Sequence, residues 1–302
     1  MKKGINFKIK ALTVALSAAV MLIIGILSAF GNVPHSLNAL FADSADITEQ
    51  TAYVEMFDVG QGDSILIVSG DKSALIDTGI KSYSDNIYNK LRDKGIKKLD
   101  FLLITHNHSD HMGGIVELTN DTRVKNLILP DLKKTDEKTD KLQSAIENVK
   151  SKGGKYYIAS QGMVFNIGDF EMTVLGCYYD EQDENDRSII TMAKIGKWKF
   201  LFTGDAGESA EKRLMAEHIN IDCDVLKLGH HGSMYSSSEE FIEACSPSLA
   251  MISCGMGNRY SHPHDVVLLR LQEAGIKFWR TDLNGDITFN ITEKDIEVST
   301  EK

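Results

Sequence analysis

Thr105-His-Asn-His-Ser-Asp-His-Met-Gly-Gly114 is the stretch that decides how this sequence is read. It grows out of residues 100–105 (DFLLIT), a short apolar run of the kind that forms a buried strand. In an extended segment residues two apart point to the same side, so His106 and His108 present their rings together. Asp110 and His111 follow in a turn that opens a helix, and Gly113-Gly114 permits a tight backbone turn beside them. The spacing offers two groups of ligands to two adjacent metal ions, His106 and His108 to one and Asp110 and His111 to the other. Imidazole and carboxylate suit zinc, and also manganese or iron. A single histidine in a loop is usually a polar residue and nothing more; this pattern beyond an apolar strand points to a metal centre.

Seven of the nine histidines fall in three clusters: the loop just quoted, His230-His231, and His262 with His264. His35 and His218 carry no signal. Around the clusters the chain reads as strands at 52–58, 64–68 and 73–76, a helix at 84–94, the strand at 100–105, a helix after Gly114 and a strand at 124–129. The charged run 131–141 reads as a solvated loop leading into a surface helix through Lys152. Strands follow at 155–159, 170–175, 188–194 and 198–203, then a helix at 207–219 and a strand at 223–228. Helices at 238–244 and 265–274 alternate with strands at 249–253 and 276–279, and a last strand lies near 286–290. Apolar runs buried on both faces imply sheets covered by helices. No repeat is visible, but LIDTG at 75–79 and LFTGD at 201–205 each place an acid just past an apolar strand, a loose echo.

The metal loop resembles that of the metallo-β-lactamase superfamily. The likeness extends, in order, through FDVGQGDS (57–64), LIDTG (75–79), NDRS (185–188), FTGD (202–205), DVLKLGHHGS (224–233) and NRYSHPH (258–264), and over roughly 52–290 the chain looks like the hydrolase domain of ComEC-type competence proteins. The resemblance implies a four-layer αββα sandwich with two divalent metal ions, zinc or manganese, at one edge. It implies that Asp205 bridges the ions, that His230 or His231 or both complete the second site, and that Asp77 orients a ligand. His262 and His264 match a segment near the site, where they would contact a phosphate or donate a proton. Many members supply a further histidine between the first cluster and the bridging aspartate; here there is none from 112 to 217, so Asn185, Asp186 or Ser188 is expected near the metals and an oxygen-preferring ion such as manganese gains ground. Arg259 and Lys227 are candidate anion contacts. The glycines of VGQGD read as architectural, because no phosphate-loop pattern surrounds them.

The expected reaction is metal-assisted hydrolysis, with a metal-activated hydroxide as nucleophile, charge stabilised by the ions, and His262 or His264 protonating the leaving group. Asp110 and Asp205 would hold the ions. A phosphodiesterase or nuclease fits the competence-type motifs; a lactonase, lactamase or thioester hydrolase is the other hydrolase reading, and a metal-binding module without catalysis is the non-enzymatic one.

Bulk properties set the setting. The chain has 302 residues, 42% hydrophobic and 25% charged, enough for a packed domain. Lys2, Lys3, Lys8 and Lys10 precede residues 11–30, which contain no charge. Twenty such residues match a bilayer core, and the lysines place their side in the cytoplasm and the rest of the chain outside. A secretory signal is the alternative, with a secreted product, and a buried core helix the bland reading. Residues 31–50 read as a polar linker and 51–302 as the hydrolase domain. The formal charge is −10; residues 1–42 hold four lysines and no acid, so the remainder carries −14. An acidic surface repels nucleic acid unless bound metal or a local basic patch offsets it. A phosphodiester, whether DNA or an envelope component, is the expected partner, along with the membrane. Cys177, Cys223, Cys245 and Cys254 form no C-x-x-C pair and read as free thiols.

Overall fold

The computed structural model describes residues 52–131 and 139–302. The expected membrane segment, the linker and most of the charged run lie outside these residues; no helix among the described residues is long and apolar enough to cross a membrane. In chain order the strands are β1 (Ala52–Met56), β2 (Ile65–Ser69), β3 (Lys72–Ile76), β4 (Lys98–Leu103), β5 (Arg123–Leu129), β6 (Lys155–Ile158), β7 (Val164–Ile167), β8 (Phe170–Gly176), β9 (Ile190–Ile195), β10 (Trp198–Phe202), β11 (Val225–Lys227), β12 (Leu249–Ile252), β13 (Lys277–Arg280), β14 (Ile287–Ile291) and β15 (Ile296–Thr300). They form two sheets, ordered β15-β14-β1-β2-β3-β4-β5-β6 and β13-β12-β11-β10-β9-β8-β7.

Side-chain alternation builds the layers. Along β2, Ile65 and Ile67 face the second sheet, where they meet Phe170, Phe200 and Phe202, while Leu66 and Val68 face outward. The outward face packs on Ile87 and Leu91 of helix Ser84–Asp93, on Ile115 and Leu118 of Ile115–Asp121 and on Leu142 and Ile146 of Thr139–Ser151. The second sheet does the same: Phe200 and Phe202 point inward, and Leu201 packs outward with Leu214, Phe241 and Leu271 of helices Glu208–Ala216, Glu239–Cys245 and Asp265–Glu273. Period-two strands with both faces apolar therefore give two sheets with helices outside, the αββα arrangement.

The two sheets share a plan. In each, an antiparallel pair (β2–β3, β9–β10) is followed by strands added in parallel through helices (β4 to β6, β11 to β13). The echo between LIDTG and LFTGD is this plan: Asp77 follows β3 and Asp205 follows β10, each at the last antiparallel strand before the parallel ones. Two strands, β7 and β15, fall where the sequence suggested none. Both are sheet edges: β7 is a four-residue strand set between Gly162 and Gly168, and β15 buries Ile296 alone. All four cysteines are free.

Candidate metal centre

The centre lies where strand ends of the two sheets meet. After β4 the chain makes an extended step through His106 and His108, and residues Ser109–Met112 form one helical turn. Gly113 is forced by contact: a Cβ there would lie 2.7 and 2.8 Å from Lys81 N and Gly79 O. Gly62 in the VGQGD loop has the same reason, since a Cβ would run into the carbonyl of Asp110. That loop braces both halves of the site, with Asp63 N donating to Asp110 O (3.1 Å) and the Gln61 side chain accepting from Gly255 N (3.1 Å).

Asp77 is fully buried at φ 60° and both its oxygens are engaged. Oδ1 accepts from Thr105 N (2.8 Å), and Oδ2 accepts from Thr105 Oγ1 (2.7 Å) and faces His111 Nδ1 (2.8 Å). With Nδ1 committed to a carboxylate, His111 turns Nε2 to within 3.2 Å of Asp205 Oδ2. His231 approaches the same oxygen at 3.4 Å, and the same Nε2 lies 3.4 Å from Asp110 Oδ2. Its Nδ1 donates to Ser253 O (3.0 Å), which fixes the ring. His230 and His231 both adopt left-handed backbone angles (φ 45° and 56°), a conformation that costs a non-glycine residue about 1–3 kcal/mol and clusters at functional sites.

One donor atom each from Asp110, His111, Asp205 and His231 lies within 4.8 Å of the others. Buried His111 Nε2, His231 Nε2 and Asp205 Oδ1 make no hydrogen bond despite this crowding. Burial disfavours a charge on His111, yet Asp205 and Asp77 outweigh it and raise the imidazole well above its usual range. The same contest lifts His231 to about 9, through Asp205 and Asp110. Burial works to raise Asp205, but His111 and His231 hold it well below the ordinary carboxylate range. The unpartnered nitrogen and oxygen atoms of the cluster are the donor chemistry of a divalent ion, and these residues fit a metal.

Other residues take graded positions. His106 Nε2 lies 3.1 Å from His108 Nδ1 and 3.9 Å from Asp205 Oδ2, while His230 Nε2 is 3.8 Å from the same oxygen, so these three rings sit beside the compact set. Burial drives His106 toward the neutral form, reinforced by His111. Ser188 does not face the cleft as a ligand: its Oγ accepts from Asp205 N (3.0 Å) and lies 3.3 Å from His106 Nδ1. Asn185 lines the cleft, and its buried Oδ1 has no hydrogen-bond partner. Asp186 turns to Gly207 N instead (2.8 Å).

A cleft of about 280 Å³ opens over the cluster, lined also by Gln61, His108, Tyr260 and His262. His262 is pushed down to about 4 by burial and by His230 and His231. His264, expected beside it, is not among the cleft residues; its Nδ1 accepts from Met234 N (3.0 Å) and holds a loop. Arg259 is exposed beside the cleft, stacked on the ring of its lining residue Tyr260 at 4.8 Å and bonded to that hydroxyl. Lys227 cannot meet a substrate. It is fully buried, pairs with Asp63 Oδ2 at 2.5 Å, donates to Gly204 O and lies 3.9 Å from Asp205 Oδ1. Asp63 went unremarked in the sequence; the signal was an acid closing VGQGD that needs a counter-charge once buried.

Sheet plan and donor cluster together define a metal-dependent hydrolase of the αββα kind. A sequence model described as the Metallo-beta-lactamase superfamily matches residues 57–255, and the chain belongs to that superfamily. It is 36% identical over 255 residues to ComE operon protein 3 of Bacillus subtilis (strain 168), covering 78% of this chain and 32% of that one. To Competence protein ComA of Neisseria gonorrhoeae it is 30% identical over 257 residues, covering 81% and 33%. These homologues are ComEC-type competence proteins, and the chain spans about a third of the length of each. Among solved structures, the metallo-β-lactamase-fold protein YhfI from Bacillus subtilis aligns with a TM-score of 0.56 at 12% identity, over 80% of this chain and all of that one.

Proposed function

We propose that the chain is an extracytoplasmic phosphodiesterase, anchored through residues 11–30 with 31–50 as linker and 51–302 as the hydrolase domain, that cleaves DNA or an envelope phosphodiester with two divalent ions, zinc or manganese. The observation that carries the reading is the convergence of two unpartnered imidazole nitrogens and the Asp110 carboxylate on Asp205 Oδ2 at the floor of an open polar cleft. Asp110, His111, Asp205 and His231 would hold one ion, with His106, His108 and His230 beside them for a second. Such ions supply Lewis acidity, lowering the pKa of water from 15.7 toward about 7 and offsetting oxyanion charge.

The chain's own residues do the rest. Asp77 and Ser253 fix the rings of His111 and His231, so donor directions are set before substrate arrives. Gln61 Nε2 lies 3.4 Å from His262 Nδ1, which leaves the proton of the neutral ring on Nε2. His262 thus offers one N–H to a leaving oxygen. Asn185 presents an unsatisfied carbonyl to the cleft. Among the described residues the cleft's one serine, Ser109, has no hydrogen bond to a base and no cysteine lines it, which favours direct attack by water. The names of the relatives, competence proteins, support a nucleic-acid phosphodiester, against the negative charge of the domain.

The test is hydrolysis by the purified full chain, with zinc or manganese, of single-stranded DNA, duplex DNA and a small chromogenic phosphodiester, with Asp205→Ala as control. Metal-dependent cleavage abolished by Asp205→Ala is expected. A protein that holds two ions and cleaves no phosphodiester, but opens a lactone or thioester, would overturn the proposal.

A further inference from the structure

At the far end of the first sheet from the metal cleft lies a second pocket, of about 660 Å³. It forms where the β2–β3 turn and the starts of β4 and β5 come together, with Tyr53 of β1 as one wall. Lys72, Lys94, Lys97, Lys98 and Arg123 line it, against the single acid Asp71. Lys72 is compensated by Asp71 (2.9 Å) and Lys94 by Glu55 (2.7 Å). Lys97, Lys98 and Arg123 form no salt bridge among the described residues, and Lys97 and Arg123 are exposed. Lys98 sits directly opposite Arg123 across the β4–β5 pairing, a like-charge arrangement that costs stability and that packing does not explain. In a chain that carries −14 beyond residue 42, five cations lining a concavity against one acid mark a place for an anion.

The position of the chain says which anion. β1 begins at Ala52, paired with Ser69, at this same end of the sheet, so the polypeptide enters the domain beside the pocket. The apolar run 11–30 stands only one linker away in sequence. β3 and β4 run from the pocket (Lys72, Lys98) to the metal centre (Asp77, Thr105), and at 3.3 Å per residue the cleft is about 20 Å further on. A nucleic-acid strand bound at the pocket would not lead into the cleft. A bilayer surface meeting the pocket would leave the cleft open to the other side.

We infer that the basic pocket seats on the membrane and binds the phosphates of anionic phospholipid headgroups, orienting the metal cleft away from the bilayer. The inference rests on residues 11–30 being a membrane anchor, and it is independent of which bond the cleft hydrolyses.

The experiment places the full chain in nanodiscs of phosphatidylcholine alone or with phosphatidylglycerol, and measures lysine acylation by mass spectrometry. Labelling of Lys97 and Lys98 should fall by about five-fold in the anionic discs, on the scale of one lipid-facing cation. Lys212, exposed on a helix of the second half, should label equally in both. The triple variant Lys97→Glu, Lys98→Glu, Arg123→Glu should lose the lipid-dependent protection of Lys72 while hydrolysing the small phosphodiester at the wild-type rate. Equal labelling of inserted chain in the two lipids would overturn the headgroup assignment and leave the hydrolase reading intact. Protection by inorganic phosphate or by a single-stranded oligonucleotide, without protection by anionic lipid, would overturn it in favour of a soluble anion or nucleic acid. Failure of the chain to enter either disc would overturn the anchor, and this inference with it.

Discussion

Asp77 and Asp205 occupy equivalent places in the two sheets, each just past the last antiparallel strand, and each is buried to 1% exposure or less. Their surroundings separate them. Asp77 has a backbone N–H, a hydroxyl and an imidazole on its two oxygens, so nothing is left over. Asp205 keeps Oδ1 without a hydrogen bond and points Oδ2 at His111 and His231. One position in a shared plan thus becomes a support in the first half and an open donor in the second. What separates the two is whether neighbouring donors satisfy the carboxylate.

The sharpest way to break this contrast is Asp205→Ala. It should lose bound metal and lower phosphodiester hydrolysis by on the order of 10³-fold. Elemental analysis of the purified variant checks the first part, and two ions retained per chain would erase the distinction between the aspartates. Next in size is Lys227→Met, which removes the buried ammonium paired with Asp63 and should cost about 3–5 kcal/mol in denaturant unfolding. Adding Asp63→Leu should restore most of that loss; if it does not, the pair matters for more than charge balance. Asp77→Asn should leave the fold intact and weaken metal affinity by about 10–100-fold, the usual effect of a group that orients a ligand. A loss as complete as that of Asp205→Ala would mean Asp77 is itself a ligand.

The smallest effect concerns Glu211, which supports the histidine turn of the second half as Asp77 supports that of the first. Its carboxylate accepts from Ser237 N and Ser238 N (2.5 and 3.0 Å) in the segment after His231. Burial raises it to about 6 despite those donors. An acid with a raised folded pKa stabilises the fold below its unfolded value and loses that contribution as pH climbs. Stability should therefore fall by about 2 kcal/mol between pH 4.5 and 6 on this account. Comparison of wild type with Glu211→Gln at pH 4.5 and 7 isolates the slope; parallel profiles would rule Glu211 out as its source.

Legibility in the sequence followed range. His106 to His111 lie within one loop, and the FTGD and HHGS segments each end an apolar strand, so chemistry and periodicity point to them together. Sheets covered by helices were legible because the inner strands are apolar on both faces; the four-layer sandwich itself followed from the family resemblance. The pairing of Asp63 with Lys227 was not, since it joins segments far apart in the chain, and a lysine in sequence carries no mark of burial. Nor could spacing tell His262, which lines the cleft, from His264, two residues on, which binds a backbone N–H. Edge position alone does not account for the missed strands, since the edges β6 and β13 were legible; β7 is four residues between glycines and β15 buries Ile296 alone.

The compact donor set draws Asp110 and His111 from the first half of the chain and Asp205 and His231 from the second. A nascent chain that has made only β1 to β6 holds His106, His108 and His111 yet lacks two of the four donors. Binding of an ion through all four donors is therefore expected only after both halves have docked, so that its binding energy would favour correctly assembled molecules alone. Refolding followed by metal uptake in real time should show the ion arriving no earlier than the slowest packing step; earlier tight uptake would remove the metal from that role.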